Sequence, residues 1–152
     1  MPEHHAIIEW TNRGPDFLKG KYPRDHTWTF DGGVIVPASP APSVVPAPWS
    51  VAANVDPEEA FVASIASCHM LTFLWLASKA GFVCERYRDE AVGTMTKNER
   101  GVWWVSQVVL KPQLSWQDER GPTAEELQDL HHRAHDECFI ANSVKSTVTV
   151  EM

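Results

Sequence analysis

The stretch from Asp56 to Gly81, DPEEAFVASIASCHMLTFLWLASKAG, constrains this chain more than any other. Both of its ends carry helix signals. Asp56 is a good N-cap, Pro57 suits the first helical position, and Glu59 stands where a capping-box partner belongs. Gly81 follows the last periodic residues and supplies the left-handed conformation that closes a helix. Between these signals the residues are apolar nearly all round: Phe61, Val62, Ile65, Met70, Leu71, Phe73, Leu74, Trp75 and Leu76. A soluble helix of that kind has to be covered on most sides. Its polar stripe is Ser64, Cys68 and Thr72, at i, i+4 and i+8 on one face. A thiol therefore stands in the middle of the most apolar element. The plain reading of Cys68 is an inert core cysteine, since free cysteine is among the most buried residue types.

The chain has 152 residues, enough for one domain, 1–152, with a real core. Its net charge of −7, with no basic block, argues against nucleic acid or an anionic membrane as a partner. The segment 61–80 approaches membrane-spanning length, but Ser64, Ser67, His69, Thr72, Ser78 and Lys79 interrupt it, and no second such segment exists. Three cysteines, at 68, 84 and 138, are too few and too far apart for a disulfide framework. The opening MPEHHAIIEW lacks the pattern of a secretory signal, so a reducing cytoplasm is expected. A cysteine pair there is catalytic more often than structural.

Residues 4–11 read as a first strand, and 25–36 as a hairpin turning at Asp31-Gly32-Gly33. Residues 37–49 hold five prolines and predict an extended connection over the surface. After the long helix, 84–96 and 102–116 read as two long strands joined at Asn98 to Gly101. Thr123 and Glu126 form a capping box for a second helix that runs to about residue 137, with Leu127, Leu130 and Ala134 facing inward. SVKSTVTVEM predicts a final strand. The class is α+β: N-terminal antiparallel strands, a long buried central helix, further strands and a second helix. One sheet covers only one side of an apolar helix, and a second copy of the chain is the simplest cover for the rest.

Cys138 ends the second helix, in AHDECFIANSVKS, 70 residues after Cys68. These two segments together resemble the OsmC/Ohr family of organic hydroperoxide reductases. In that family a Pro-Glu pair opens a long central helix, and a cysteine follows ten residues after the Glu. A second cysteine lies far downstream in a His-x-x-Cys-x-x-(Ala/Ser)-Asn-like segment. Here Glu58 and Cys68 have that interval, and His135, Cys138, Ala141 and Asn142 fit the second segment. KYPRDHTWTFDGG places Arg24 where members keep an arginine before the hairpin. The match runs from about residue 21 to 150, and the long proline-rich loop and the CHM wording look closer to the OsmC side than to the Ohr side.

The resemblance implies an OsmC-like fold in an intertwined homodimer, with Cys68 peroxidatic, Cys138 resolving, no cofactor, and a dithiol or lipoyl-type reductant. It also implies antioxidant and stress-response duty. Only a thiolate attacks an O–O bond, and burial opposes ionisation. The helix dipole fades within the first turn, so a fixed cation is needed. Arg24 fits that need, with Glu58 holding it by a bidentate pair. Glu58 lies about 15 Å from Cys68 along the helix, which favours a partner subunit as the source of Arg24 and Glu58. Ile65, Met70, Leu71 and Trp75 surround Cys68 on the helix, and Val44, Val45 and Trp49 of the proline-rich loop are candidates for the same apolar pocket.

Plainer readings stand beside these: Arg24 as a surface residue, Glu58 as a helix-terminus charge, His69 as a hydrogen-bonded core residue and Cys84 as a bystander. HHRAH offers His131 and His135 as an i, i+4 pair for a metal, without the Glu of an HExxH motif. Two other functions therefore remain open: a thiol-redox or binding protein of the same fold without peroxidase activity, and a metal-dependent hydrolase.

Overall fold

The computed structural model describes all 152 residues. They divide into two compact units, Met1–Ala60 and Phe61–Met152. In the first unit, β1 (Ala6–Glu9), β2 (His26–Phe30) and β3 (Ile35–Ala38) form an antiparallel sheet in that order. The expected hairpin closes with Phe30 N–H donating to Val34 O at 2.9 Å and Gly33 at φ 92°, a left-handed value that suits glycine. β3 runs one residue past Pro37, which sequence reasoning gave to the connection. Pro37 fits because its nitrogen points away from β2. On that outer side Val55 N–H donates to Pro37 O at 3.0 Å, and Ser39 N–H to Val55 O at 3.0 Å, so no bond needs a proline N–H.

The rest of the proline-rich segment is not extended. Val44 and Val45 both donate to Ala41 O, at 2.9 and 3.0 Å, and Trp49 donates to Pro46 O at 3.1 Å. Prolines that forbid helix and sheet still suit turns, and here successive turns win.

The long helix, α1 (Pro57–Lys79), has both expected ends. Asp56 N–H donates to Glu59 Oε1 and Glu59 N–H to Asp56 Oδ1, each at 2.8 Å, a reciprocal capping box. At the other end Phe82 N–H reaches Ala77 O at 3.0 Å and Gly81 N–H reaches Ser78 O at 3.2 Å. That double closure needs the φ of 86° at Gly81. By length and composition α1 could cross a membrane, but one of its faces is committed to protein packing.

In the second unit, the two long strands expected after α1 are each broken in two. β4 (Cys84–Asp89) pairs with β7 (Pro112–Trp116), while β5 (Val92–Lys97) pairs with β6 (Trp103–Leu110). The break has a chemical cause. Pro112 brings no N–H, and the Asp89 carboxylate takes the Lys111 N–H at 2.7 Å, where a ladder bond would otherwise run. β8 (Thr147–Val150) then joins β6 in parallel, giving the order β5-β6-β8.

The two ladders hold two cores, and α1 serves both. Ile65 packs with Val108 and Leu110, with Val62, Val148 and Val150 around them. Phe73, Leu76 and Ala77 pack with Leu130 and Ala134 of α2 (Ala124–Glu137), against Tyr87, Leu114 and Trp116. The opposite face of α1 stays open: Leu71 is 62% and Trp75 58% exposed. One chain therefore covers one side of the helix expected to be buried all round.

Gly93 of β5 lies tight under α1, since a Cβ there would collide with Val62 Cγ2. Val62 is β-branched and cannot swing aside freely. Gly93→Ala is expected to destabilise the second unit by about 1–3 kcal/mol in urea unfolding, whereas Gly32→Ala, with nothing within 4 Å of the new carbon, is expected to stay near wild type.

Candidate functional site

Cys68 lies on α1 between Ile65, which belongs to the first core, and Phe73, which belongs to the second. Cys138 arrives at the same seam from the other side. It is the C-cap of α2, after Leu130 and Ala134 of the second core and before Ile140 and Val144, which pack against the first. The two thiols come close there, near enough for Cys68 to bear on the ionisation of Cys138. Both are free, as is Cys84.

The two sulfurs have unlike surroundings. Cys68 is half-buried and Cys138 is 0% exposed. Burial pushes the Cys138 thiol up from its ordinary value, and the neighbouring Cys68 adds to the rise. Cys138 Sγ accepts from Ala141 N–H at 3.4 Å. Asn142 fixes the turn: its Nδ2 donates to Asp136 O and Cys138 O, both at 2.9 Å, and its N–H donates to Cys138 O at 3.0 Å. These bonds satisfy carbonyls that the end of α2 leaves free. The Cys-x-x-Ala-Asn part of the sequence motif thus holds the cysteine in place.

The polar stripe of α1 does not reach the sulfur. Ser64 Oγ donates to Phe61 O at 2.8 Å and Thr72 Oγ1 to Cys68 O at 2.9 Å, both within the helix backbone. A groove of about 590 Å³ is lined by Leu71, Thr72 and Trp75, one to two turns beyond Cys68 on α1, and by Glu137 and Phe139 on either side of Cys138, with neither cysteine in its wall. Ile65, expected in this pocket, is 0% exposed beneath α1 and faces β6 and β8 instead.

Arg24 lies in the first unit, in an aromatic basin that the sequence did not reveal. Its guanidinium donates to Tyr22 O at 3.0 Å and Gly20 O at 3.1 Å, and its Cζ stands 3.8 Å from the centre of the Tyr22 ring. Phe17 packs on Tyr22 at 4.7 Å, Trp10 at 5.7 Å, and all four line a groove of about 460 Å³ with Ile8 and His26. The expected ion pair with Glu58 is not formed within the chain. Arg24 pairs with no carboxylate, and Glu58 Oε2 is buried with no hydrogen-bond partner.

The histidines sort differently from the sequence pattern. His69 is buried as expected, and its partner is His131: His69 Nε2 lies 3.0 Å from His131 Nδ1. His131 is therefore a core residue rather than half of a solvated pair with His135. Its position on the Leu127–Leu130–Ala134 face is the signal that could have found it. No group of three His, Cys, Asp or Glu is arranged to hold a metal. Cys84 opens β4 at a bulge, where its Sγ donates to Arg86 O at 3.4 Å, and burial raises its pKa.

Burial pulls His69 and His131 each down from 6.5 to about 4, and His131 and His135 push His69 the same way. The fold thus prefers both neutral. Their contribution is complete above pH 6.5 and is lost as pH falls from there through 4. The melting temperature is expected to fall steeply over that window, and less steeply in His131→Asn, which has one fewer group to protonate. Parallel profiles would contradict this.

Comparison with known proteins gives one consistent picture. The family model for OsmC-like protein matches residues 52–152. An OsmC-like protein of unknown function from Vibrio cholerae is 50% identical, with 99% of each chain covered and a TM-score of 0.95. An organic hydroperoxide resistance protein from Elizabethkingia anophelis is 19% identical, with 99% of this chain and 96% of that one covered and a TM-score of 0.70. The organic hydroperoxide resistance protein OhrB of Bacillus subtilis is 20% identical over 97% and 95%, with a TM-score of 0.64. No curated protein matches the chain.

Proposed function

This chain belongs to the OsmC-like family, and from that premise we propose that it reduces organic hydroperoxides to alcohols with electrons from a dithiol. The observation that carries the reading is the closeness of Cys68 and Cys138 between the same two cores, where each thiol feels the other. Residues 70 apart in sequence meet at one seam, in a chain whose other cysteine does not take part. The names of the hydroperoxide resistance proteins that share the fold agree with it.

The difference in exposure favours one division of roles. Cys68, the more accessible sulfur, attacks as thiolate. The O–O bond breaks, the alcohol leaves with a proton, and Cys68 becomes a sulfenic acid. Cys138, buried and held as a thiol, attacks that sulfur, water leaves, and a disulfide joins the two residues. A small dithiol of lipoyl type then exchanges with the disulfide and restores both thiols. None of these steps calls on a metal or an organic cofactor. In this proposal the chain works as a cytoplasmic homodimer. The open Leu71 and Trp75 face and the unpaired Arg24 and Glu58 favour that arrangement, because a second copy can cover the first and complete the second. Arg24 then stabilises the attacking thiolate, and Glu58 orients the guanidinium.

Substitution separates the roles. Cys68→Ser is expected to abolish reduction. Cys138→Ser is expected to react once and then to build up sulfenic and sulfinic Cys68, seen as mass increments. Cys84→Ser is expected to turn over like wild type, and Arg24→Ala to slow the first attack, most strongly at low pH. Turnover that survives Cys138→Ser but stops in Cys84→Ser would reassign the resolving role.

The groove whose wall holds the two neighbours of Cys138 favours an apolar substrate. An alkyl or aryl group gains about 0.8 kcal/mol per methylene buried against Leu71, Trp75 and Phe139, and hydrogen peroxide gains none of this. Three or four methylenes give roughly 2.5–3 kcal/mol, about a hundredfold in kcat/KM if the contacts persist in the transition state. Cumene and tert-butyl hydroperoxide are therefore expected to exceed hydrogen peroxide at least tenfold in kcat/KM. Equal values for all three would favour a general thiol-redox protein instead.

A further inference from the structure

Two buried histidines join the helices that carry the two cysteines. His69 follows Cys68 directly in α1, and His131 lies about two turns before Cys138, the C-cap of α2. Their facing nitrogens are 3.0 Å apart, with the rings nearly parallel at 5.3 Å. His131 also stacks on Phe73 at 4.3 Å. His69 is 1% and His131 2% exposed. The outer nitrogens, His69 Nδ1 and His131 Nε2, have no hydrogen-bond partner.

For stability alone this is a poor use of two core positions. Each orphaned nitrogen carries a desolvation cost that a leucine of similar volume avoids. A hydrogen bond supplies direction in return. Apolar helix faces tolerate small slides and rotations, whereas a ring-to-ring bond holds one distance and one angle. Here the bond fixes how α2 lies along α1, and so where Cys138 Sγ arrives beside Cys68.

We propose that His69 and His131 are positioning residues for the Cys68–Cys138 redox pair, their mutual hydrogen bond setting the helix register that brings the two thiols together. The inference rests on reading that pair as redox-active, but not on which oxidant acts. With glutathione the exchange balances: one oxidised glutathione and two protein thiols give one protein disulfide and two reduced glutathiones. Holding the thiols in contact favours the protein disulfide, because less freedom is lost on closing it.

The test is the equilibrium constant of that exchange, measured on the full chain in glutathione buffers with the remaining thiols alkylated and weighed. His69→Leu and His131→Leu remove the bond. His69→Gln places an amide atom where Nε2 stood, and His131→Asn places one where Nδ1 stood. Each Leu variant is expected to lower the constant about tenfold, which is about 30 mV for a two-electron couple. The double Leu variant should lose little more than either single one, because both remove one interaction. His69→Gln and His131→Asn should recover most of the loss. Where Leu does not fold, His131→Phe keeps the ring and its stacking on Phe73, removes the bond, and should show the same tenfold loss. Folded Leu or Phe variants within twofold of wild type would overturn the inference while leaving the redox pair intact. A wild type that forms no Cys68–Cys138 disulfide at any glutathione ratio would overturn the redox reading itself, and the inference with it.

Discussion

Everything in the second unit follows from the need to bury α1. The helix is too long for one continuous ladder, and the strands beneath it break at Asp89 and Pro112 into two. Each ladder covers one half of the helix face, so the packing around α1 changes character midway. That seam is where a side chain can be held firmly without being sealed into a core. Cys68 occupies it, and α2 ends there with Cys138. The chemistry proposed for the chain depends on this packing to bring the two cysteines to one place.

Local signals were the legible ones. The caps of α1 and α2, the Gly81 closure and the hairpin at Gly33 are decided within a few residues, so their chemistry can be read directly. The breaks in the strands were not legible, because β-branched and aromatic residues continue across 84–116 and the interrupting bond, Asp89 to Lys111, spans 22 positions. The turns in the proline-rich loop were missed for a related reason: proline excludes helix and sheet but does not choose between extended chain and turn. The parallel pairing of β8 with β6 is a matter of topology, which no local pattern in SVKSTVTVEM carries.

At the site, the wording of two distant segments singled out Cys68 and Cys138, and the fold brings both residues between the same two cores. The histidine bond escaped because each ring alone looks ordinary: His69 as a core residue, His131 as one of a cluster on α2. Only the tertiary fold brings them within 3.0 Å. Arg24 and Glu58 are the opposite case. Sequence reasoning paired them, yet within one chain the arginine rests on backbone carbonyls and Tyr22, and the glutamate has a buried oxygen without a partner. An orphaned buried carboxylate oxygen carries a cost that a second copy of the chain can remove.

The central claim is that Cys68 and Cys138 act as one two-electron pair, and counting thiols tests it most directly. The chain holds three free thiols. One equivalent of cumene hydroperoxide should leave one per chain, and peptide mapping should place that thiol at Cys84 with Cys68 joined to Cys138. Three thiols remaining, or a disulfide that includes Cys84, would contradict the claim.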